Sequence, residues 1–165
     1  ERIRGLERTF IKMGLFLSTY NNKVDKKFRV SVPAPFRTAL AQQEFQGIVV
    51  FKSSKYNALE GFGWDRMVEM SERLDQFDMF SNEQDDMASL IFGESRQLPF
   101  DGNGRIILPE DLCEFCGITD QAAFVGLGKK FQIWSPETLT ARMENARRDV
   151  QDRGLTLPGP KGNQA

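Results

Sequence analysis

The sequence contains no histidine in 165 residues. That absence removes the commonest general base near neutral pH and a frequent metal ligand, so His-dependent triads and most zinc sites are excluded. Cysteine is scarce as well. Cys113 and Cys116 are the only two, too few for a disulfide scaffold, which makes a reducing cytoplasm the expectation. Their Cys-x-x-Cys spacing has no second pair to complete a zinc site, so they are read as small residues facing a helix or the core. No apolar run approaches the roughly 18 residues of a membrane-crossing helix. The segment up to Met13 is basic with a short apolar stretch but lacks a small-residue cleavage site, so no signal peptide is expected. Neither Gly61-Phe-Gly63 nor Gly126-Leu-Gly128 fits a phosphate loop with its required lysine, so both are read as turn elements.

Charge of one sign is also missing, since the formal net charge is −1. Its distribution is uneven, however. Lys23, Lys26, Lys27, Arg29 and Arg37 face a single acid, Asp25, between residues 21 and 37. Between Glu60 and Glu94 ten acids stand against Arg66 and Arg73. One segment is a local cationic site and another is strongly anionic, either as a solvated face or as a surface that phosphate would repel.

What the chain does have is a repeat. Asp25, Arg29 and Pro33 recur as Asp101, Arg105 and Pro109, displaced by 76 positions. Each proline is followed by a short helix candidate, near residues 35–41 and 109–115, and then by an apolar run, Gln46–Phe51 or Ala122–Gly126. Aromatic segments follow, Leu59–Asp65 and Phe131–Glu137. The coarse order in each unit is therefore strand, turn, strand, short helix, strand, strand, helix. Between the units, Met67, Met70, Leu74 and Phe77 predict one amphipathic helix over 65–78. Ser81 and Gln84 suggest a capping box for a second, carrying Met87, Leu90 and Ile91. A last helix opens on Ser135 and Pro136 and runs through Leu139, Met143, Ala146 and Val150 towards Gly154.

The repeated turn has a clear chemistry. An aspartate at its start accepts hydrogen bonds from backbone N–H groups two or more residues on, which fixes the loop. Asp25 and Asp101 are the expected organisers, with Gly102 and Gly104 supplying turn conformations in the second copy. Arg29 and Arg105 leave the turns at equivalent places, and Lys26 and Lys27 occupy the first tip. Arginine's planar fork matches guanine O6 and N7, whereas lysine mainly adds charge at phosphate. A single Asp-x-x-x-Arg is more simply an ion pair inside a hairpin; duplication, the following Val/Leu-Pro and the lysines tip the reading towards DNA. Lys23, Lys26, Lys27, Arg29 and Arg105 are the candidate contacts, the first turn the stronger one.

Phe16-Leu-Ser-Thr-Tyr20, Asp25-Lys-Lys-Phe-Arg29-Val-Ser-Val-Pro33, Asp101-Gly-Asn-Gly-Arg105 and Phe131-Gln-Ile-Trp134 together resemble the MraZ family, over roughly residues 14 to 150. The resemblance implies an α+β fold, a swapped-hairpin AbrB-like β-barrel built from two tandem SpoVT-AbrB-type repeats, with helices between and after them. It implies a ring-like homo-oligomer on double-stranded DNA with repeated promoter sites, repressing a cell-division and cell-wall gene cluster in the cytoplasm, on the nucleoid. The competing expectation is an antitoxin-like or protein-interaction module with secondary DNA binding. No catalytic residue, cofactor, metal, membrane or small-molecule substrate is expected. The implied organisation is an N-terminal extension outside the fold (1–13, with Met13 a candidate start), a first repeat (14–64), acidic helices (65–94), a second repeat with its C-terminal helix (95–153) and a disordered tail (154–165). One departure stands out. The family's turn has glycine just before the arginine, as at Gly104, but Phe28 stands there in the first copy; a positive φ would cost a non-glycine residue on the order of 1 kcal/mol.

Overall fold

The computed structural model describes residues 14–161; the proposed N-terminal extension and the last four residues of the tail lie outside the described residues. In chain order the elements are β1 (Thr19–Lys23), β2 (Arg29–Ser31), α1 (Ala34–Ala39), β3 (Gly47–Lys52), β4 (Leu59–Phe62), α2 (Trp64–Leu74) and α3 (Asn82–Ala88). A π-helical turn (Ser89–Gly93) leads to β5 (Arg96–Pro99), β6 (Arg105–Ile107), α4 (Glu110–Cys116), β7 (Gln121–Gly126), β8 (Phe131–Trp134) and α5 (Pro136–Arg153). The same order of strand, turn, strand, helix, strand, strand, helix occurs twice, as the sequence periodicity implies.

Within each half only the later hairpin pairs with itself, β3 with β4 and β7 with β8; the remaining pairings cross between the halves. β1 pairs with β7, β5 with β3, β4 with β8 and β2 with β6, all antiparallel. The cause lies at the turns. In the first, Val24–Val30 is the one β-bridge between the two arms, beside a side-chain bond from Asn22 Nδ2 to the Ser31 carbonyl at 2.7 Å. Beyond it β1 and β2 separate, and each completes its ladder on a strand of the other half. The outcome is an α+β fold with an open six-stranded sheet, β1-β7-β8-β4-β3-β5, and a separate two-stranded ribbon, β2-β6. The expected closed barrel is therefore corrected: β1 and β5 are free edges of the main sheet, because β2 and β6 pair with each other rather than bridging those edges.

The main core joins both halves. Val30, Val32, Phe36, Ile48, Val50 and Leu59 from the first interlock with Leu98, Ile106, Leu108, Leu112, Phe124, Phe131 and Ile133 from the second. Phe36 of α1 sits fully buried at its centre, its ring 5.1 Å from Phe16 and 5.3 Å from Phe131. Burying such a ring contributes roughly 1.5–3 kcal/mol, so Phe36 ties β1, β7 and β8 to the helix that follows the first turn. Pro33 and Pro109 sit at the N-caps of α1 and α4, where a missing N–H costs nothing.

The helix between the repeats ends sooner than its apolar spacing predicts. Met67 of α2 is buried against Val49, Phe51 and Phe62 and Leu74 is buried as well, but the helix stops at Leu74 and leaves Phe77 exposed. Ser81 caps α3 by accepting the Gln84 N–H at 3.2 Å. Along α5 only Leu139 is buried, whereas Met143 and Val150 stay exposed; Gly154, at φ 58°, closes the helix in a left-handed cap.

Candidate nucleic-acid interface

Asp25 builds the first turn with both carboxylate oxygens. Its Oδ1 accepts the backbone N–H groups of Lys27 and Arg29, each at 2.9 Å, and Oδ2 accepts Arg29 Nε at 2.7 Å. Two main-chain bonds close the loop, from Asp25 N to the Arg29 carbonyl (3.0 Å) and from Phe28 N to the Asp25 carbonyl (3.0 Å). The second turn repeats the pattern. Asp101 Oδ1 accepts Asn103 N at 2.8 Å and Arg105 N at 3.0 Å, while Oδ2 accepts Arg105 Nε at 2.9 Å. Because each ion pair uses Nε, the terminal nitrogens of both arginines make no hydrogen bond among the described residues, leaving two donor groups per side chain for a ligand.

The position before each arginine is left-handed in both copies, at φ 63° for Phe28 and φ 74° for Gly104. Phe28 is thus held in a backbone conformation that costs a non-glycine residue about 1–2 kcal/mol. Its ring packs against the core in partial return. Gly102, by contrast, does not use a positive φ, so of the two glycines expected to shape the turn only Gly104 does so.

The β2–β6 ribbon brings the two arginines together. Its register sets Arg29 opposite Ile107, Val30 opposite Ile106 and Ser31 opposite Arg105. Val30 and Ile106 are buried; the alternate residues point the other way, so Arg29, Ser31, Arg105 and Ile107 share one outward face. Residues diagonal in such a ladder lie about 7–8 Å apart, which makes the two arginines near neighbours on a local two-fold. Lys26 and Lys27 are exposed at the first tip. Lys23 is exposed too, but it ends β1 in the main sheet, paired with Gln121, and is not part of the ribbon.

Both carboxylates are held below the ordinary 3.8. The backbone N–H of the paired arginine is the largest cause in each, assisted by the arginine side chain and by the N–H of Lys27 or Asn103. Each Asp is therefore a fixed anion that orients its arginine.

Three features lay outside the sequence reading. Arg37 of α1 lies against the second turn: its Nε donates to the Val32 carbonyl at 3.2 Å, and a side chain at Gly104 would run into its guanidinium. The second turn has no lysine of its own and receives a cation from the first half. Gln43 Oε1 accepts Asp65 N at 2.7 Å and so caps α2 from the loop after α1. On the far side of the sheet Glu60 accepts Lys130 Nζ at 3.2 Å and Gln132 Nε2 at 2.6 Å, and Gln132 Oε1 accepts Trp134 Nε1 at 2.9 Å. The Gln132–Glu60 bond crosses between β4 and β8, strands of opposite halves. Cys113 and Cys116 are buried, and burial pushes their thiols up to about 11 and about 12; each packs in the core, the place expected from the lack of a second pair. Among the described residues no cluster of metal-ligating side chains forms, and no helix is long and apolar enough to cross a membrane.

Two aspartate-anchored arginine turns on one exposed ribbon, carried by a crosswise-paired tandem repeat, define a class of α+β protein built to present cations. Residues 91–153 match the family model described as "MraZ protein, putative antitoxin-like". The chain is 40% identical over 145 residues to the transcriptional regulator MraZ of Rickettsia akari, covering 88% of this chain and 97% of that protein. It is 41% identical to the protein of that name from Rickettsia rickettsii over the same shares, and 40% identical over 146 residues to the one from Rickettsia bellii. The chain belongs to the MraZ family.

Proposed function

We propose that this protein is a sequence-specific DNA-binding regulator of transcription that contacts DNA with the outward face of the β2–β6 ribbon and its two turns. The observation that carries the reading is the placement of Arg29 and Arg105 on one exposed face, each tethered through Nε with its terminal nitrogens unbonded. Such a fork is oriented before it meets a base, and a bidentate contact to guanine is the commonest specific arginine contact in the major groove. Lys26, Lys27 and Arg37 add cations for phosphate, and Lys23, exposed at the end of β1, adds one outside the ribbon. The names borne by the relatives agree with this role.

The finer reading extends the same argument. Crosswise pairing supports regarding the halves as swapped hairpins, with repeats at 14–64 and 95–153 and the acidic helices of 65–94 between them. One ribbon offers few base contacts, so useful affinity needs several subunits engaging repeated sites together. The exposed Phe77, Met79, Phe80 and Met87 around α2 and α3, and Met143 and Val150 on α5, are apolar surface available for that assembly. On this reading the protein acts as a nucleoid-associated, ring-like homo-oligomer and represses a cell-division and cell-wall gene cluster. Mapping of bound DNA across the genome tests it: enrichment at repeated promoter sites is expected, and uniform coverage without sequence preference would overturn it. The same apolar surface favours, as a second reading, an antitoxin-like interaction module, which a stoichiometric protein partner held at wild-type strength by an Arg29→Ala variant would support.

A further inference from the structure

The outward face of the ribbon holds two residues that the arginine reading leaves unused. Ile107 stands directly across from Arg29, and Ser31 directly across from Arg105. Ile107 is 63% exposed although its strand neighbour Ile106 is fully buried. A lone exposed aliphatic residue is ordinary in itself. What distinguishes this one is its place: it lies about 4.5–5.5 Å across the ladder from Arg29, on the face that also presents Arg105. An aliphatic side chain gains nothing from phosphate. The apolar group that base edges offer in the major groove is the C5-methyl of thymine.

We infer that Ile107 is a specificity-determining residue that contacts a thymine methyl group next to the base read by Arg29. The inference rests on the DNA-binding reading above. Local two-fold symmetry relates Arg29 to Arg105 but relates Ile107 to Ser31, so the ribbon is symmetric in its arginines and asymmetric in their neighbours. Serine offers a hydroxyl to bases of either kind and no methyl-sized apolar surface. The preferred DNA element is therefore a local dyad for arginine contacts with a thymine requirement on one side only.

The test uses duplex DNA enriched by the full-length protein from a randomised pool, with each thymine replaced singly by deoxyuridine, which removes only the methyl. The wild type should lose affinity about fourfold at one thymine position per ribbon, the value of one buried methyl-sized group. Ile107→Ser should bind the thymine and deoxyuridine forms alike while eluting at the wild-type size, and Ser31→Ile should create a second sensitive position. Indifference of the wild type to every substitution, undiminished sensitivity in Ile107→Ser, or a changed assembly size in that variant would each overturn the assignment and leave DNA binding standing. Failure of the wild type to enrich any sequence would overturn both.

Discussion

The turn at Asp25–Arg29 and the turn at Asp101–Arg105 share every anchoring bond yet differ at their tips and in their surroundings. In both, one carboxylate oxygen holds two backbone N–H groups and the other holds the arginine Nε. The first carries Lys26 and Lys27 and forces Phe28 to φ 63°; the second carries Gly102 and Asn103 and places Gly104 at φ 74°. The aspartate bonds and the closing main-chain bond thus impose the left-handed residue, and glycine is a convenience rather than the cause. The two solutions are not interchangeable. Phe28 uses its side chain to pack on the core, whereas Gly104 uses the absence of one to admit Arg37. The first turn therefore carries two lysines of its own, whereas the second gains a single added cation, from α1.

The comparison breaks most sharply at the arginines. Equivalent anchoring and a shared face predict that Arg29→Ala and Arg105→Ala each weaken binding to a cognate duplex about tenfold to hundredfold, the worth of a bidentate base contact. Assembly size should not change, because each aspartate keeps its two backbone partners. A gel-shift titration in which only Arg29 matters would instead restore the first turn as the principal contact. The lysines should then account for what asymmetry remains: Lys26→Ala and Lys27→Ala each lower the salt dependence of log affinity by about one while affecting all sequences alike.

That equivalence was only partly legible in the sequence. The 76-residue displacement exposed the two turns, and the Asp-x-x-x-Arg spacing showed which side chains each would hold. Helix starts at Pro33, Ser81, Ser135 and Pro109 were readable because caps are local. Strand partners were not, since β1 meets β7 and β3 meets β5 across some 50 to 100 residues, and alternation in a strand names its buried face without naming its neighbour. Barrel closure was likewise an inference from likeness, and the pairing of β2 with β6 left the main sheet open. Arg37 was visible only as one more positive charge; its role depends on Gly104, 67 positions away, where the missing Cβ makes room.

Exchanging the tips tests the claim that each turn is fitted to its own setting. Gly104→Phe must adopt a positive φ and displace the Arg37 guanidinium, so thermal or urea unfolding should report a loss of about 2 kcal/mol or more. Phe28→Gly removes about 1–2 kcal/mol of backbone strain but forfeits the partial burial of the ring and adds flexibility to the unfolded chain. Those terms nearly cancel, and the change should stay within about 1 kcal/mol. Two equal losses would mean that the turns tolerate side chains alike and that Arg37 has no fixed place over the second.

The smallest expected effect is that of pH, and it follows from what the two turns have in common. Asp25 and Asp101 are both held below 3.8, first by the backbone N–H of the paired arginine and then by that arginine's side chain and a second backbone N–H. A carboxylate whose folded pKa is depressed contributes stability that is fully present above its unfolded value and lost as pH falls through its folded value. The anchoring is therefore complete throughout the neutral range and fails only in strong acid, below about 3.8. The chain has no histidine, and the two thiols are raised to about 11 and about 12, so neither residue type introduces a titration near neutrality. Affinity for a fixed duplex at constant salt should vary by less than about twofold between pH 5.5 and 8.5. A larger slope that survived in Asp25→Asn would locate a titrating group away from the first turn, whereas one abolished by that substitution would show that Asp25 is not the fixed anion its hydrogen bonds make it.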